Sequence, residues 1–161
     1  MPATGKSTVG VILAKLLGYD FLDADILIAL AQKRPLAQII AEEGYDKFIE
    51  IEGVTGKSIN CERTVIATGG SMVFSEAAME NLLENGIAVW LDTPVSELEN
   101  RLIGSLADRG VATPMKMSFQ EIYDMREPLY RKYADLRLDC EGTTEKVATE
   151  LRERLIRDKL I

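Results

Sequence analysis

Short apolar segments alternate with longer segments of helical periodicity along the whole chain. The predicted strands cover residues 19–22, 64–67, 87–91 and 136–139. Parallel strands need long crossover connections, usually helices, so this alternation predicts an α/β fold in which helices cover both faces of a parallel sheet. Ligands of such sheets bind beyond the carboxyl ends of the strands. We therefore expect the chemistry in the loops after Leu22, Ala67 and Leu91.

The helical segments are predicted from apolar residues that recur at intervals of three and four. They cover residues 6–17, 26–33, 36–42, 45–59, 75–84, 94–106, 119–135 and 143–160. Pro128 is expected to break the seventh of these helices, because proline lacks the N–H group that a helix interior needs. Residues 107–118 contain glycine and proline and are predicted to form a loop. The length of 161 residues fits one domain.

Charge and residue types exclude several functions. The chain carries 19 basic and 26 acidic side chains, a net charge of −7, and no histidine. Nucleic-acid binding needs a surplus of basic residues to neutralise phosphates, so we expect no nucleic-acid partner. The lack of histidine excludes a Ser-His-Asp triad and the usual zinc ligands.

Cysteine usage and hydropathy predict the compartment. Cys61 and Cys140 are too few for a disulfide framework, and we expect two reduced, mostly buried thiols. The sequence shows no basic-then-apolar leader and no apolar run of the ~18 residues that a membrane span needs. These features predict a cytoplasmic protein without a membrane partner, and we expect it to be a monomer.

Residues 1–8 read Met-Pro-Ala-Thr-Gly-Lys-Ser-Thr and lead into the first predicted helix. The sequence Gly-Lys-Ser is typical of the end of a phosphate-binding loop, in which backbone N–H groups at a helix N-terminus hold phosphate oxygens. In that motif Lys6 reaches the β- and γ-phosphates and the Ser7 hydroxyl binds Mg²⁺. A second Gly-Lys-Ser, at residues 56–58, lies inside a helical stretch and is interpreted as a chance match.

Five sequence runs are informative in combination, and they cover residues 5–10, 21–25, 40–44, 67–70 and 126–130, together with Phe48 and Glu52. They occur in the order typical of the shikimate kinase family of P-loop kinases, which the chain resembles over nearly its whole length. The resemblance implies a three-layer P-loop kinase fold, with substrate-binding helices in residues 26–59 and a mobile lid in residues 107–118. It also implies phosphorylation of a shikimate ring hydroxyl to shikimate 3-phosphate, in aromatic amino acid biosynthesis, with ATP and Mg²⁺ as cofactors.

The same resemblance implies which residues bind the nucleotide and the metal. The expected nucleotide-binding residues are Ala3, Thr4, Gly5, Lys6, Ser7, Thr8 and Arg101. Arg101 is expected to pack on the adenine, and Ser7 and Asp23 to lie at Mg²⁺. Lys6 and Arg109, which falls in the lid, are expected to stabilise the transferred phosphoryl group.

For the small hydroxy acid substrate, the resemblance implies a site made of Asp25, Phe48, Gly69, Gly70 and Arg126. Asp25 is expected to orient the reacting hydroxyl and accept its proton. Gly69 and Gly70 are expected to lie with their backbone against the substrate, and Arg126 to bind its carboxylate. The alternative for Asp23 and Asp25 is a solvated turn or an N-cap of the following helix.

Three departures from the family pattern concern the acceptor. Ile49 stands where the family has an arginine that helps to clamp the shikimate carboxylate, and the loss of a charge-assisted hydrogen bond costs about 1.5–3 kcal/mol. Ser71 stands where the family has a third glycine, and the lid sequence around Arg109 is unusual. These differences leave another hydroxy acid, such as homoserine, as an alternative acceptor.

The start of the chain also departs from the pattern, because no apolar strand and no first motif glycine precede residues 1–8. In the family that strand lies between the strands predicted at residues 64–67 and 87–91. We expect Met1 to be an internal methionine of a longer natural chain.

Two other function classes remain open at this point. A nucleotide-binding or regulatory module could keep the fold and lose turnover, which Ile49 and the missing loop glycine favour. A kinase of nucleoside monophosphates would need additional arginines for a second phosphate, and the sequence shows no obvious cluster of them.

Overall fold

The computed structural model describes residues 1–103 and 117–161. Helices and strands alternate in this part of the chain, and a short 3₁₀ turn at Met72–Phe74 precedes α5. The elements are α1 (Lys6–Leu17), β1 (Asp20–Asp23), α2 (Ala24–Gln32), α3 (Leu36–Glu43), α4 (Tyr45–Ser58), β2 (Thr64–Ala67), α5 (Glu76–Glu84), β3 (Val89–Asp92), α6 (Val95–Ile103), α7 (Phe119–Tyr133), β4 (Leu136–Asp139) and α8 (Thr144–Arg157).

The strands form two parallel pairs. In the first pair Asp20 of β1 lies opposite Thr64 of β2, and in the second pair Val89 of β3 lies opposite Leu136 of β4. Among the described residues no backbone pairing joins β2 to β3. The strands are thus parallel, as predicted, and in the described part of the chain they form two separate pairs.

Three apolar clusters hold the elements together. One, centred on Met72, Leu98 and Ile122, contains Met1, which is only 5% exposed. A second joins α1 and α8 to the β3–β4 pair. The third consists of Ile28, Ile39 and Phe48, with partly buried neighbours that include Ile49, and it packs α2, α3 and α4 against one another. This packing holds Asp25, the N-terminus of α1 and the end of β2 close to one another.

The predicted helices are confirmed with small differences at their ends, except for α6, whose predicted end at residue 106 lies outside the described residues. The prediction that Pro128 breaks α7 is wrong, because the helix runs through it from Phe119 to Tyr133. Ile122, Arg126 and Tyr130 are buried on one face of this helix, on both sides of the proline. That packing offsets the lost backbone hydrogen bond, while Pro128 itself lies on the exposed side.

Two local predictions have physical explanations in the structure. Gly18 ends α1 in the left-handed conformation at φ 66°, which glycine adopts without strain. The second Gly-Lys-Ser lies within α4, where a Cβ at Gly56 would overlap Met72 and Ala78. Gly56 is therefore required for helix packing, and the segment 56–58 does not form a phosphate-binding loop.

Neither cysteine forms a disulfide. Cys140 is buried as expected, but Cys61 is exposed. Across residues 1–103 and 117–161, every helix is too short or too polar to cross a bilayer.

Candidate functional site

A cavity of about 320 Å³ opens between the N-terminus of α1, the start of α2 and the loop after β2. Two of the three loops in which the sequence predicts the chemistry, those after Leu22 and Ala67, thus border the cavity, whereas the described residues of the loop after Leu91 do not line it. The cavity brings together most of the predicted site residues, namely Ala3, Gly5, Lys6, Ser7, Thr8, Asp25, Phe48, Gly69, Gly70 and Arg126.

The backbone of residues 1–8 forms one wall of the cavity. Ala3 and Gly5 both have positive φ, at 59° and 91°, so the chain turns sharply into α1. Gly5 is the N-cap of this helix, and no side chain caps it. Its first-turn N–H groups are free of a side-chain cap beside the cavity, which is the arrangement that binds anions at helix N-termini.

The ammonium of Lys6 lies at the same wall. Its Nζ donates a hydrogen bond to the carbonyl oxygen of Met1 at 2.7 Å. Burial lowers the pKa of Lys6, and the negative charge of Asp25 opposes that shift. Ser7 and Thr8 are exposed on the first turn of α1. The wall therefore presents one cation, backbone amides and hydroxyls, all of which suit phosphate oxygens.

Two predicted nucleotide residues do not line the cavity. Thr4 is buried, and its hydroxyl donates a hydrogen bond to the carbonyl oxygen of Met1 at 2.8 Å. Arg101 donates from Nη1 to the carbonyl oxygens of Ala3 and Thr4, at 3.2 and 3.4 Å. Both side chains hold the backbone of the loop in shape.

The two aspartates after β1 have different surroundings. Asp23 ends the strand and caps α2, where its Oδ1 accepts a hydrogen bond from the N–H of Asp25 at 3.0 Å. This is the N-cap role that the sequence left open. Asp25 lines the cavity, where burial raises the pKa of its carboxyl and the charge of Lys6 pulls it down. Asp25 thus presents a carboxylate to the cavity opposite the ammonium of Lys6.

Gly69 and Gly70 are glycines for steric reasons. A Cβ at Gly69 would overlap Oε1 of Glu52 and lie 3.1 Å from Oδ1 of Asp25. A Cβ at Gly70 would lie 2.8 Å from Nη1 of Arg126. The carboxylates beside Gly69 and the guanidinium beside Gly70 therefore lie too close to the backbone after β2 for any residue larger than glycine.

Arg126 forms the far wall from α7. Its side chain is 1% exposed, its Nη2 donates to the hydroxyl of Tyr45 at 3.3 Å, and its guanidinium lies 5.8 Å from the ring centroid of Phe74. Tyr130, one turn later, donates its hydroxyl proton to the carbonyl oxygen of Gly70 at 2.7 Å, and burial raises the pKa of this phenol to about 12. A buried guanidinium of this kind is suited to a carboxylate ligand.

Phe48 is 2% exposed and lines the cavity from the apolar cluster of α2, α3 and α4. Ile49 packs against that cluster and does not line the cavity. Ile49, which stands where the family pattern has a second arginine, therefore belongs to the apolar core and contributes no cation to the cavity.

Sequence reasoning missed several lining residues, of which Glu52 is the most informative. It is 1% exposed, and burial raises the pKa of its carboxyl to about 7. The signal was available, since Glu52 lies four residues after Phe48 and four before Gly56 on the buried face of α4. Pro2, Leu36 and Thr68 were also not predicted to line the cavity, whereas Ser71, which replaces the third glycine of the family pattern, lines it as expected.

Arg109 and most of the predicted lid, residues 107–118, lie outside the described residues. Their roles remain predictions.

Comparison with known proteins gives concordant matches. The family model for shikimate kinase matches residues 2–156. Shikimate kinase 2 of Shigella dysenteriae serotype 1 is 33% identical over 155 residues, which cover 94% of this chain and 89% of that protein. A shikimate kinase of Nostoc sp. is 35% identical over 164 residues, covering 96% of this chain and 87% of the relative.

Solved structures agree with these sequence matches. A shikimate kinase from Acinetobacter baumannii in complex with shikimate superimposes with a TM-score of 0.84 at 29% identity, covering 99% of this chain and 90% of that chain. Shikimate kinase from Aquifex aeolicus gives a TM-score of 0.82 at 27% identity, covering 99% and 95%. The predicted P-loop kinase fold is confirmed.

Proposed function

The chain belongs to the shikimate kinase family, and from this premise we propose that it transfers the γ-phosphoryl group of ATP to a ring hydroxyl of shikimate. The observation that carries the proposal is the single cavity that joins an uncapped helix N-terminus and Lys6 to the carboxylate of Asp25 and the guanidinium of Arg126. Phosphate-binding and hydroxy-acid-binding groups thus share one space of a size suited to a small molecule.

At the phosphate end, the loop amides and Lys6 bind the triphosphate. Phosphoryl transfer depends mainly on positioning and on the neutralisation of charge, which backbone N–H groups and an ammonium provide. To do so, Lys6 exchanges its hydrogen bond to Met1 for phosphate oxygens. Arg101 contributes by fixing the loop carbonyls of Ala3 and Thr4, and also lies on the side where we propose that the adenine packs.

Mg²⁺ would be held at the same end of the cavity by the exposed hydroxyl of Ser7, which lines it. This ion keeps several waters and needs only one or two protein oxygens besides substrate phosphates. Asp23 caps α2 and does not line the cavity, so its carboxylate would act on the hydration shell of the ion. When bound, Mg²⁺ neutralises part of the phosphate charge. Orientation of the two substrates depends on the residues of the chain.

At the acceptor end, Asp25 orients the reacting hydroxyl and takes its proton as the oxygen attacks phosphorus. Its raised pKa makes it a better base than an ordinary aspartate, because proton acceptance improves as the pKa approaches the working pH. Arg126 binds the substrate carboxylate, Phe48 packs against the ring, and the backbone of Gly69 and Gly70 lies against the substrate. The hydroxyl is thereby fixed relative to the triphosphate.

Homoserine is the second candidate acceptor. Ile49 belongs to the apolar cluster and provides no second cation, so the carboxylate site rests on Arg126, which suits a smaller hydroxy acid as well. Homoserine carries one carboxylate for Arg126 and a primary hydroxyl for Asp25. Its ammonium group, on the carbon next to the carboxylate, has no counterpart in shikimate, which makes homoserine a chemically distinct test compound.

A coupled assay of ADP release separates these possibilities. The protein is supplied with MgATP and with shikimate, homoserine or no acceptor. We expect turnover that depends on shikimate and exceeds the turnover with homoserine. Faster turnover with homoserine would identify it as the acceptor. ATP binding without turnover in all three mixtures would contradict a kinase and favour a nucleotide-binding module.

A further inference from the structure

Glu52 is a buried acid that the proposed mechanism does not use. It projects from α4 into the cavity and is 1% exposed, and in the described part of the chain neither carboxylate oxygen makes a hydrogen bond of good geometry, although the nearby Ser71 side chain interacts with it. Buried polar atoms are nearly always satisfied, so two poorly satisfied oxygens at a binding cavity indicate that a ligand group completes them. The backbone of Gly69 packs directly against Oε1 and holds it in place.

The groups around Glu52 determine which form of the acid is stable. Burial raises its pKa to about 7, and Asp25 on α2 adds to this rise. Ser71, Arg126 on α7 and Lys6 on α1 pull the pKa down. The phenol of Tyr130 also faces Glu52 from α7 and is neutral at physiological pH, because its own pKa is about 12. Charged residues of the flanking helices α3 and α5, such as Glu42, Glu43, Glu76 and Glu80, are exposed to solvent.

Binding of a hydroxy acid adds another negative charge to this group. At the acceptor end, Arg126 is the cation that faces the substrate carboxylate, and Ile49 provides none because it packs in the apolar cluster. If Asp25 and Glu52 were both ionised, a bound carboxylate would bring a third anion to a cavity whose lining contains the cations Arg126 and Lys6. Like charges close together disfavour ionisation of one of the acids. Protonation of one carboxyl group relieves this excess of negative charge, and Glu52 is the buried acid, whereas Asp25 is exposed.

We propose that Glu52 binds the acceptor as the neutral acid, donating a hydrogen bond to an acceptor oxygen, and that the ionised form excludes the hydroxy acid. This inference rests on the proposed function, because it concerns the acceptor of that reaction. Acceptor binding is then coupled to the uptake of one proton. Affinity for shikimate falls as the pH rises through the range in which Glu52 loses its proton, while the rate of the bound complex is little changed.

The first test compares pH profiles of KM for shikimate and of kcat in three proteins. In the unaltered protein, KM should rise about tenfold per pH unit above the Glu52 pKa, because one proton is required for binding. Glu52→Gln keeps a neutral donor at every pH, so its KM should stay within a few-fold of the low-pH value. Glu50→Gln, an exposed glutamate on the same helix, is the matched control and should behave as the unaltered protein.

Two results would overturn the inference. One is a pH profile of Glu52→Gln that still rises as steeply as that of the unaltered protein. The other is an increase of KM by more than about tenfold in Glu52→Gln at low pH, since this would show that the carboxylate form is needed.

The second test needs no variant and decides the matter if Glu52→Gln does not fold. Shikimate is titrated by calorimetry into the unaltered protein, saturated with MgADP, in buffers that differ in ionisation enthalpy. We expect an uptake that approaches one proton above the Glu52 pKa and vanishes below it. Binding without proton uptake would overturn the inference while the kinase assignment stands. Failure of shikimate to bind or to be phosphorylated at any pH would instead overturn the proposed function.

Discussion

The phosphate end of the cavity consists of main-chain amides and one lysine from residues 1–8, whereas the acceptor end consists of side chains from separate helices. Asp25 comes from α2, Glu52 from α4 and Arg126 from α7. The phosphate end follows from local conformation, such as the positive φ of Gly5 and the start of α1. The acceptor end exists only when distant helices pack together, so substitutions of its residues other than Asp25 are expected to change the choice of substrate more readily than the chemistry.

The largest expected effect is at the phosphate end. Lys6→Ala should lower kcat/KM by about a thousandfold, because it removes the ammonium that neutralises the transferred phosphate. Lys57→Ala, in the second Gly-Lys-Ser copy, changes an exposed lysine of α4 and should leave activity unaltered. The assay is steady-state ADP release, with thermal melting to verify folding. Retention of more than a tenth of the activity by Lys6→Ala would contradict the assigned role.

At the acceptor end, Asp25→Asn should lower kcat by about a hundredfold, because the amide cannot take the proton of the hydroxyl. Affinity for MgADP should change little, since Asp25 lies opposite the phosphate loop. Asp20→Asn, at the exposed start of β1, is the control. The measurements are kcat by coupled assay and nucleotide affinity by calorimetry. Equal losses of kcat and of MgADP affinity would mean that Asp25 serves nucleotide binding as well as the acceptor reaction, which would contradict the division of the cavity into two ends.

Ile49→Arg sharpens the comparison by adding the cation that the family pattern has at this position. A new charge-assisted hydrogen bond is worth about 1.5–3 kcal/mol, so KM for shikimate should fall by tenfold or more, while KM for ATP stays constant. Val54→Arg adds the same charge at a position of α4 that is 71% exposed, and serves as the control. An unchanged KM for shikimate would place the substrate carboxylate elsewhere.

A smaller effect concerns stability. The folded-state pKa of Glu52, about 7, exceeds the ordinary value of 4.5, so the folded protein binds more protons between these values and loses stability as the pH rises. Glu52→Gln removes that dependence. Its stability relative to the unaltered protein should increase by up to about 3 kcal/mol from low pH to neutral pH. Chemical denaturation at several pH values measures the difference, and a difference that does not vary with pH would contradict the burial of an ionisable Glu52.

The same comparison explains what could be predicted from the sequence. Local signals gave the bounds of α1 and β2 and the turn at Gly18, because each depends on neighbouring residues. The persistence of α7 through Pro128 could not be predicted, since it depends on buried contacts of residues on either side.

In the site, the motif identified the residues of the phosphate loop, and the family resemblance identified Asp25 and Arg126. The steric need for glycine at residues 69 and 70 arises from Glu52 and Arg126, which approach from other helices. Glu52 was missed as a site residue because a glutamate on a helix is usually exposed, although its spacing to Phe48 and Gly56 places it on the buried face of α4.

The most direct test of the account is phosphorus NMR of the protein with MgATP and shikimate. The account predicts a new phosphate monoester signal on shikimate that grows at the rate at which ADP appears, and no such signal when shikimate is omitted. Release of ADP with inorganic phosphate alone would contradict it, because the cavity would then bind a triphosphate without delivering its terminal group to an acceptor.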